Sequence, residues 1–277
     1  KVLDEIAKKR EQIGEGQFGM FLIELGRVQN ALNTEWDHLK LIFISFLIAM
    51  TKNGKYLDEY NEIVLANNSY LSLYNKYFYW RQQWRMPLKY GSMKYNGKIG
   101  QQVYNSIYQG YQRELQQMLA PINVKERNKD RVVVIVIQFL EEEHAPTRTA
   151  LERCATLAKI GKEVLIINTC EQATMLGMIP IYGMEEGRVF EQYCEMKTYQ
   201  YNNETFSYYQ PKKQMPELEE TENILHKIRD WNPYLILTMG AGSIVSDLAA
   251  NIAPVINIPL AFSTIMKKEN QFTSVGK

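Results

Sequence analysis

The chain has 277 residues, of which 45% are hydrophobic, and its formal net charge is +1 at pH 7. This length suits one large domain or two ordinary ones, and this composition supports a buried core, so an intrinsically disordered protein is excluded. The three cysteines have no C-x-x-C spacing and no cluster of histidines beside them, so they indicate neither a disulfide framework nor a zinc site. They favour a reducing, cytoplasmic location.

The charged side chains are divided unevenly along the chain. Residues 1–130 carry 18 basic and 13 acidic side chains, whereas the remaining residues carry 14 basic and 18 acidic ones. Such a change in electrostatic character favours a domain boundary near residue 130. The most apolar stretch, residues 39–50, is only 12 residues long, which is too short to span a bilayer, so we expect a buried helix there and no membrane span.

The first part of the chain predicts an all-helical domain, over residues 1–125. Apolar side chains recur at helical spacing in four stretches, residues 1–13, 34–50, 56–86 and 100–119. Pro121 stops the last of these helices, and the polar, charged stretch after it has the composition of a linker.

The pattern changes at residue 131 and predicts a Rossmann-like α/β domain over residues 131–277. Residues 131–140 are mostly aliphatic and have no polar face, as in a parallel strand that is covered on both sides. A helical pattern and a second aliphatic run complete a βαβ unit. A tyrosine-rich strand pair follows at residues 195–210, and two further strands follow at residues 234–239 and 254–259. This order predicts a doubly wound parallel sheet.

A candidate catalytic residue follows the first strand. Ligands of such sheets bind outside the carboxyl ends of the strands, where helix N-termini present unpaired N–H groups. His144 lies there, after an acidic run and before a helix. An imidazole titrates near neutrality, so His144 can act as a general base, and Glu143 or its neighbours Glu141 and Glu142 can orient its ring. The alternative is a solvated loop histidine that acts as a cap.

The start of the following helix offers two candidate substrate-binding residues. Pro146 fits the first helical turn, and the hydroxyl of Thr147 or Thr149 can satisfy open backbone donors. Arg148 can face an anionic group of a substrate, although it can also be an ordinary surface arginine.

A glycine-containing turn, at residues 240–243, is the second candidate binding element. Gly240, Gly242 and Ser243 follow a predicted strand and open a helix, where glycines allow a phosphate or a sugar to approach the backbone closely. Val245 replaces the third glycine of G-x-G-x-x-G, so a nicotinamide or flavin site is weakly supported. Simple tight packing is the alternative.

Residues 63–113 combine basic and aromatic side chains and contain no acidic residue. Arginine and tyrosine together suit nucleic acid, through phosphate pairing and base stacking, although aromatic faces also receive sugar rings and peptide side chains. The alternative is that the aromatic residues form the core of the helical domain, and we favour it for Tyr77, Phe78 and Trp80.

The order of elements in residues 131–168 and 231–259 resembles the N-terminal Rossmann-like half of a GT-B glycosyltransferase. The resemblance covers roughly residues 131–262, and the helical domain is loosely similar to that of bacterial HMW1C-type protein glucosyltransferases. It implies that this half binds the acceptor, while the donor nucleotide binds largely in a C-terminal half. It also implies that His144 matches the catalytic base of many inverting members, and that the turn at 240–243 faces the cleft between the two halves.

The leading hypothesis is therefore a cytoplasmic glycosyltransferase that moves a sugar from a nucleotide sugar to a protein or glycan acceptor. We expect no cofactor and no metal, because helix N-termini and basic groups can stabilise the leaving diphosphate. We also expect the chain to be an acceptor-side fragment that is inactive alone, since the donor half is not in it. The alternatives are a nucleotide-sugar epimerase of similar fold, and a non-catalytic module that binds nucleic acid or protein through its basic, tyrosine-rich helices.

Overall fold

The computed structural model describes residues 2–32, 37–66, 71–91, 93–94, 96–172, 181–183, 189–213, 215–240, 242–260 and 271–273. The chain divides into two compact units, residues 1–107 with 177–185, and residues 108–176 with 186–277. The change from one unit to the other falls within a helix. The sequence predicted a boundary between independently folding domains, between residues 125 and 131. A division into compact units does not test independent folding, so this boundary stays a prediction.

Six α-helices occupy the N-terminal part of the described chain: α1 (Val2–Gln12), α2 (Glu15–Leu32), α3 (Asp37–Thr51), α4 (Gly54–Leu65), α5 (Leu73–Tyr90) and α6 (Gly97–Glu114). Helix α3 contains the most apolar stretch of the sequence, and its side chains from Phe43 to Ile48 are buried. The expected buried helix is therefore confirmed. Residue 34, the predicted start of this helix, lies outside the described residues.

The predicted helix over residues 56–86 is wrong in its extent, because it is two helices. Helix α4 ends at Leu65, and α5 begins after Ser72, whose hydroxyl accepts a hydrogen bond from the backbone N–H of Asn75 at 3.2 Å. A serine at this position satisfies one of the open backbone donors of a helix N-terminus, which favours a new helix over continuation of α4. The sequence predicted that the helix ends before Pro87, but α5 continues past Pro87 to Tyr90.

Many aromatic residues of the basic region form the core of the helical unit. Tyr77, Phe78, Tyr79, Trp80 and Tyr104 are all buried, which confirms the core position expected for Tyr77, Phe78 and Trp80. The ring centroids of Trp80 and Tyr104 are 4.4 Å apart, and the indole N–H of Trp80 donates to a backbone carbonyl oxygen of α6 at 3.0 Å. Buried rings cannot stack on the bases of a nucleic acid, so these side chains do not form the stacking surface that the composition suggested.

The second unit is built on a seven-stranded sheet in the order β3-β4-β2-β1-β5-β6-β7. Its strands are β1 (Asn128–Val136), β2 (Glu163–Asn168), β3 (Thr198–Tyr201), β4 (Glu204–Tyr209), β5 (Pro233–Met239), β6 (Val255–Ile258) and β7 (Gln271–Thr273). Strand β3 is antiparallel to β4, and all the other neighbours are parallel. The α/β class and the mostly parallel sheet are therefore confirmed.

Strand β1 lies in the middle of the sheet because its sequence has no polar face. Residues 132–136 pair with β2 on one side and with β5 on the other, and all of them are at most 2% exposed. Helix α7 (Ala145–Lys159) packs on one face of the sheet through Ala150, Leu151 and Cys154. Helices α8 (Leu218–Trp231) and α9 (Ile244–Ala249) flank β5 in the chain.

The strand order reverses at β1, which defines where a ligand can enter. From β1 the chain proceeds to β2 and then to β4, and α8 leads it back to β5 on the other side of β1. The loops after β1 and β5 therefore leave the sheet in opposite directions at its carboxyl edge. In open α/β sheets this reversal opens a crevice that receives ligands.

Candidate functional site

The loop after β1 ends at His144, which is the N-cap residue of α7. Its backbone is extended, with φ −68° and ψ 114°, and its carbonyl oxygen accepts the backbone N–H of Arg148 at 3.0 Å. Pro146 lies in the first turn, as its sequence position predicted, because a proline there loses no helical hydrogen bond. The side chain of His144 is half-buried, at the carboxyl edge of the sheet.

The His144 ring contacts Thr147, one helical turn further along α7. Nδ1 of His144 lies 2.9 Å from Oγ1 of Thr147, and the same oxygen accepts the backbone N–H of Leu140 at 2.9 Å. Thr147 is completely buried. Its hydroxyl thus holds together the loop, the histidine and the helix start, rather than pointing to solvent.

The acidic run before His144 lies mostly in solvent. Glu142 and Glu143 are exposed, and Glu142 accepts a hydrogen bond from the hydroxyl of Tyr199 at 3.3 Å. Burial first, then the nearby Tyr193 and Glu142, raise the pKa of Tyr199 far above its usual value, so its hydroxyl stays protonated and can donate. Thr147 provides one contact to the ring, and its orientation by Glu143, Glu141 or Glu142 stays a prediction.

The side chain of Arg148 is exposed on the first turn of α7. Thr147 and Arg148 are adjacent in sequence but point to opposite environments, one to the core and one to solvent. Of this pair, Arg148 is the residue that a ligand at the carboxyl edge can reach.

The turn after β5 requires glycine at two positions. Gly240 has φ +101° and Gly242 has φ +74°, conformations that other residues rarely adopt. A Cβ atom on Gly240 would also lie 3.3 Å from Cδ1 of Ile137, the residue directly after β1. The turn therefore packs closely against the end of the neighbouring strand.

Ser243 caps α9, and the open donors of this helix bind a carboxylate of the chain itself. Its hydroxyl accepts the backbone N–H of Ser246 at 3.0 Å and donates to Oε2 of Glu171 at 2.5 Å. The other oxygen of Glu171 accepts the backbone N–H groups of Ile244 and Val245, at 2.8 and 3.4 Å.

Glu171 follows β2, so its carboxylate reaches past the end of β1 to the element after β5. It is 3% exposed, and the hydroxyl of Thr169 donates to it at 2.7 Å. A carboxylate in this position compensates the positive end of the α9 backbone, which is the role that the sequence suggested for a ligand phosphate. The sequence interpretation did not single out Glu171.

Within the described ranges, no group of three or more histidine, cysteine or acidic side chains is arranged to hold a metal ion. Of the helices in these ranges, none has both the length and the apolar character that a membrane crossing needs. No protein-family model, curated protein or solved structure matches this chain.

Proposed function

We propose that the chain is the acceptor-binding part of a GT-B-type glycosyltransferase, with the acceptor at the carboxyl edge of β1 and β5. The enzyme moves a sugar from a nucleotide sugar to a hydroxyl or amide group of a glycan or protein. The strand reversal at β1 supports a ligand crevice at this edge, and His144 and Arg148 lie beside it.

The observation that carries the proposal is the position of Glu171. Its carboxylate already binds the donors that a Rossmann site offers to a diphosphate, at Ser243, Ile244 and Val245. A diphosphate at the same place would meet a buried negative charge, which is strongly unfavourable. This edge therefore suits an uncharged sugar or peptide group better than a nucleotide, as the acceptor half of a transferase requires.

In the transfer, an acceptor oxygen or nitrogen attacks the anomeric carbon of the donor sugar. The bond between this carbon and the diphosphate oxygen breaks, the nucleotide diphosphate leaves with the electron pair, and the proton of the acceptor passes to a base. We expect the loop from Leu140 to His144, at this edge of the sheet, to meet the acceptor proton. An uncharged acceptor is held by hydrogen bonds to such loop groups rather than by ion pairs.

The test is a binding experiment on the chain itself. Labelled chain is applied to arrays of glycans and peptides, and the compounds that bind are titrated by ligand-observed NMR, alongside uridine, guanosine and thymidine diphosphate sugars. We expect a glycan or peptide to bind, and His144→Ala to weaken its binding by roughly tenfold, the loss of one hydrogen bond. His226→Ala is the matched control, since His226 is exposed on α8.

Two results would contradict the proposal. One is tight binding of a nucleotide sugar that shifts the backbone amides of Ile244 and Val245, because the edge would then be a nucleotide site. The other is binding of oligonucleotides alone, with an affinity that falls steeply as salt is added, which is the behaviour of a nucleic-acid module.

A further inference from the structure

Three residues of the connection between β2 and β3 belong to the helical unit. Residues 177–185 group with residues 1–107, and Ile181, Tyr182 and Gly183 are the part of this stretch that the structure describes. Ile181 is buried and Tyr182 is half-buried. The helices of this unit therefore hold a short segment, Ile181 to Gly183, that is about 90 residues or more from them in sequence. We call these three residues the docked segment.

Side chains of α3 and α5 hold the docked segment by its backbone. The backbone N–H of Tyr182 donates to the hydroxyl oxygen of Ser45, on α3, at 3.0 Å. The hydroxyl of Tyr90, on α5, donates to the carbonyl oxygen of Tyr182 at 3.1 Å, and the ammonium of Lys89 donates to that of Gly183. Burial raises the pKa of Tyr90, so its hydroxyl stays protonated. Backbone contacts of this kind do not depend on the side chains of the segment, so another peptide in the same conformation can make them.

Two positions of the docked segment are selective for their side chains. The ring of Tyr182 meets that of Phe46 edge-on, with centroids 4.9 Å apart, and it packs against the buried side chains around Phe46. Gly183 has φ +67°, and a Cβ atom there would lie 2.6 Å from the hydroxyl oxygen of Tyr90. A residue other than glycine would therefore be strained and would displace this hydroxyl. The contacts fit an aromatic residue followed by glycine.

We propose that Ser45, Phe46, Lys89 and Tyr90 form a docking surface for a peptide in which glycine follows an aromatic residue, and that the docked segment occupies this surface as an internal ligand. The inference concerns the helical unit and does not depend on the proposed transferase function. A segment that is tethered in the same chain has an effective concentration on the order of millimolar, so it competes with any free peptide. A partner protein that carries such a peptide must displace it.

The charges near Tyr182 restrict the aromatic residue further. Burial first, then Asp4 and Glu11 of α1, raise the pKa of Tyr182, which reflects carboxylates in the neighbourhood of its hydroxyl. A phosphate group on this tyrosine would bring about two more negative charges toward them. We therefore expect a peptide with an unmodified tyrosine to bind and the same peptide with phosphotyrosine not to bind.

The test uses the full chain, labelled with ¹⁵N, and a synthetic peptide with the sequence of residues 178–186, MIPIYGMEE. Gly183→Ala should release the docked segment, because the new Cβ atom overlaps with the hydroxyl of Tyr90. We expect the free peptide to bind this variant about tenfold more tightly than the wild type, since the tethered competitor is gone, and to shift the backbone amides of Ser45 and Tyr90. Gly161→Ala is the matched control, because Gly161 also has a positive φ but lies after α7 in the sheet unit. This control should bind the peptide as weakly as the wild type.

Further variants test the individual contacts. In the Gly183→Ala chain, Tyr90→Phe should weaken peptide binding by roughly tenfold, the loss of one hydrogen bond. A peptide that itself carries Gly183→Ala should not bind. If the Gly183→Ala chain does not fold, Tyr182→Ala replaces it, since this substitution removes the ring that packs against Phe46.

Three results would overturn the inference. The first is no binding of the peptide to a folded variant with the docked segment released, at peptide concentrations of about 1 mM, because the docked segment would then be an ordinary tertiary contact. The second is equal binding to the wild type and to this variant with and without Tyr90→Phe, which would place the peptide elsewhere. The third is a wild-type dimer that Tyr90→Phe dissociates, which would assign the docking surface to a second copy of the chain.

Discussion

We expect removal of the Glu171 carboxylate to destabilise the sheet unit more than removal of an exposed carboxylate does. Glu171→Ala leaves four donors without their acceptor: the hydroxyls of Thr169 and Ser243 and the backbone N–H groups of Ile244 and Val245. Three of these contacts are between 2.5 and 2.8 Å, whereas the contact to Val245 is 3.4 Å and contributes little.

The expected cost follows from these contacts. A hydrogen bond to a charged group contributes about 1.5–3 kcal/mol, and part of this is recovered when a hydroxyl turns to another acceptor or water enters the space. We therefore expect a loss of about 3–5 kcal/mol, similar to that on breaking a buried charged pair and a large fraction of the stability of a typical domain.

Glu171→Gln should cost less, about 1–2 kcal/mol. The amide oxygen can still accept the N–H of Ile244, and the amide nitrogen can donate to the hydroxyls of Thr169 and Ser243, which can rotate. Glu152→Gln is the matched control, because Glu152 is exposed on α7 and its loss should change stability by less than about 0.5 kcal/mol.

The assay is urea unfolding combined with hydrogen exchange at the backbone amides of Ile244 and Val245. Hydrogen exchange is local, so it reports on α9 even when the two units unfold separately. The two amides should exchange faster by the factor that corresponds to the lost free energy, about tenfold for each 1.4 kcal/mol. A Glu171→Ala chain with the stability of the wild type and unchanged protection of Ile244 would refute the role assigned to this carboxylate.

Three further predictions concern other parts of the chain. Gly240→Ala should destabilise the sheet unit by about 1–3 kcal/mol in urea unfolding, and by more than Gly161→Ala, because both have a positive φ but only Gly240 also has a close neighbour, Ile137. Burial lowers the pKa of His38 in the folded chain, although Asp37 raises it. The contribution of His38 to stability is therefore complete above about pH 6.5 and is lost as the pH falls through the lower pKa of the folded chain. In unfolding measurements over this pH range, His38→Gln should remove this part of the pH dependence, and His226→Gln should not. Burial raises the pKa of Cys154 to about 12, so native titration with a thiol reagent near pH 8 should modify the half-buried Cys194 first and leave Cys154 unreacted until the chain unfolds.

The parts of the fold that could be predicted are those with a strong local pattern. The continuous aliphatic runs of β1, β2 and β5 identified a parallel sheet, because only strands covered on both faces lack a polar side. The hairpin of β3 and β4 was also predicted. It turns at Asn202 and Asn203, both with a positive φ, as asparagine tolerates in such turns. The break between α4 and α5 was missed because aromatic residues at helical spacing continue on both sides of it.

The candidate site was predictable in position but only partly in its contacts. His144 and Gly240 follow buried strands, and a parallel sheet brings such positions to one edge. The contact of His144 with Thr147 joins residues three apart at a helix start, so helical spacing could have suggested it. The contact of Glu171 with Ile244 joins residues 73 positions apart, and no spacing in the sequence encodes it. The available signal was an acidic residue just after a buried strand.

The most direct test of the account is an NMR titration of the ¹⁵N-labelled chain with an acceptor glycan or peptide and, separately, with uridine diphosphate. The account predicts that the acceptor shifts the backbone amides of Leu140, His144 and Arg148, while uridine diphosphate leaves those of Ile244 and Val245 unchanged, because Glu171 already binds them. Shifts at Ile244 and Val245 on addition of uridine diphosphate, with no response of the β1 loop to any acceptor, would contradict it.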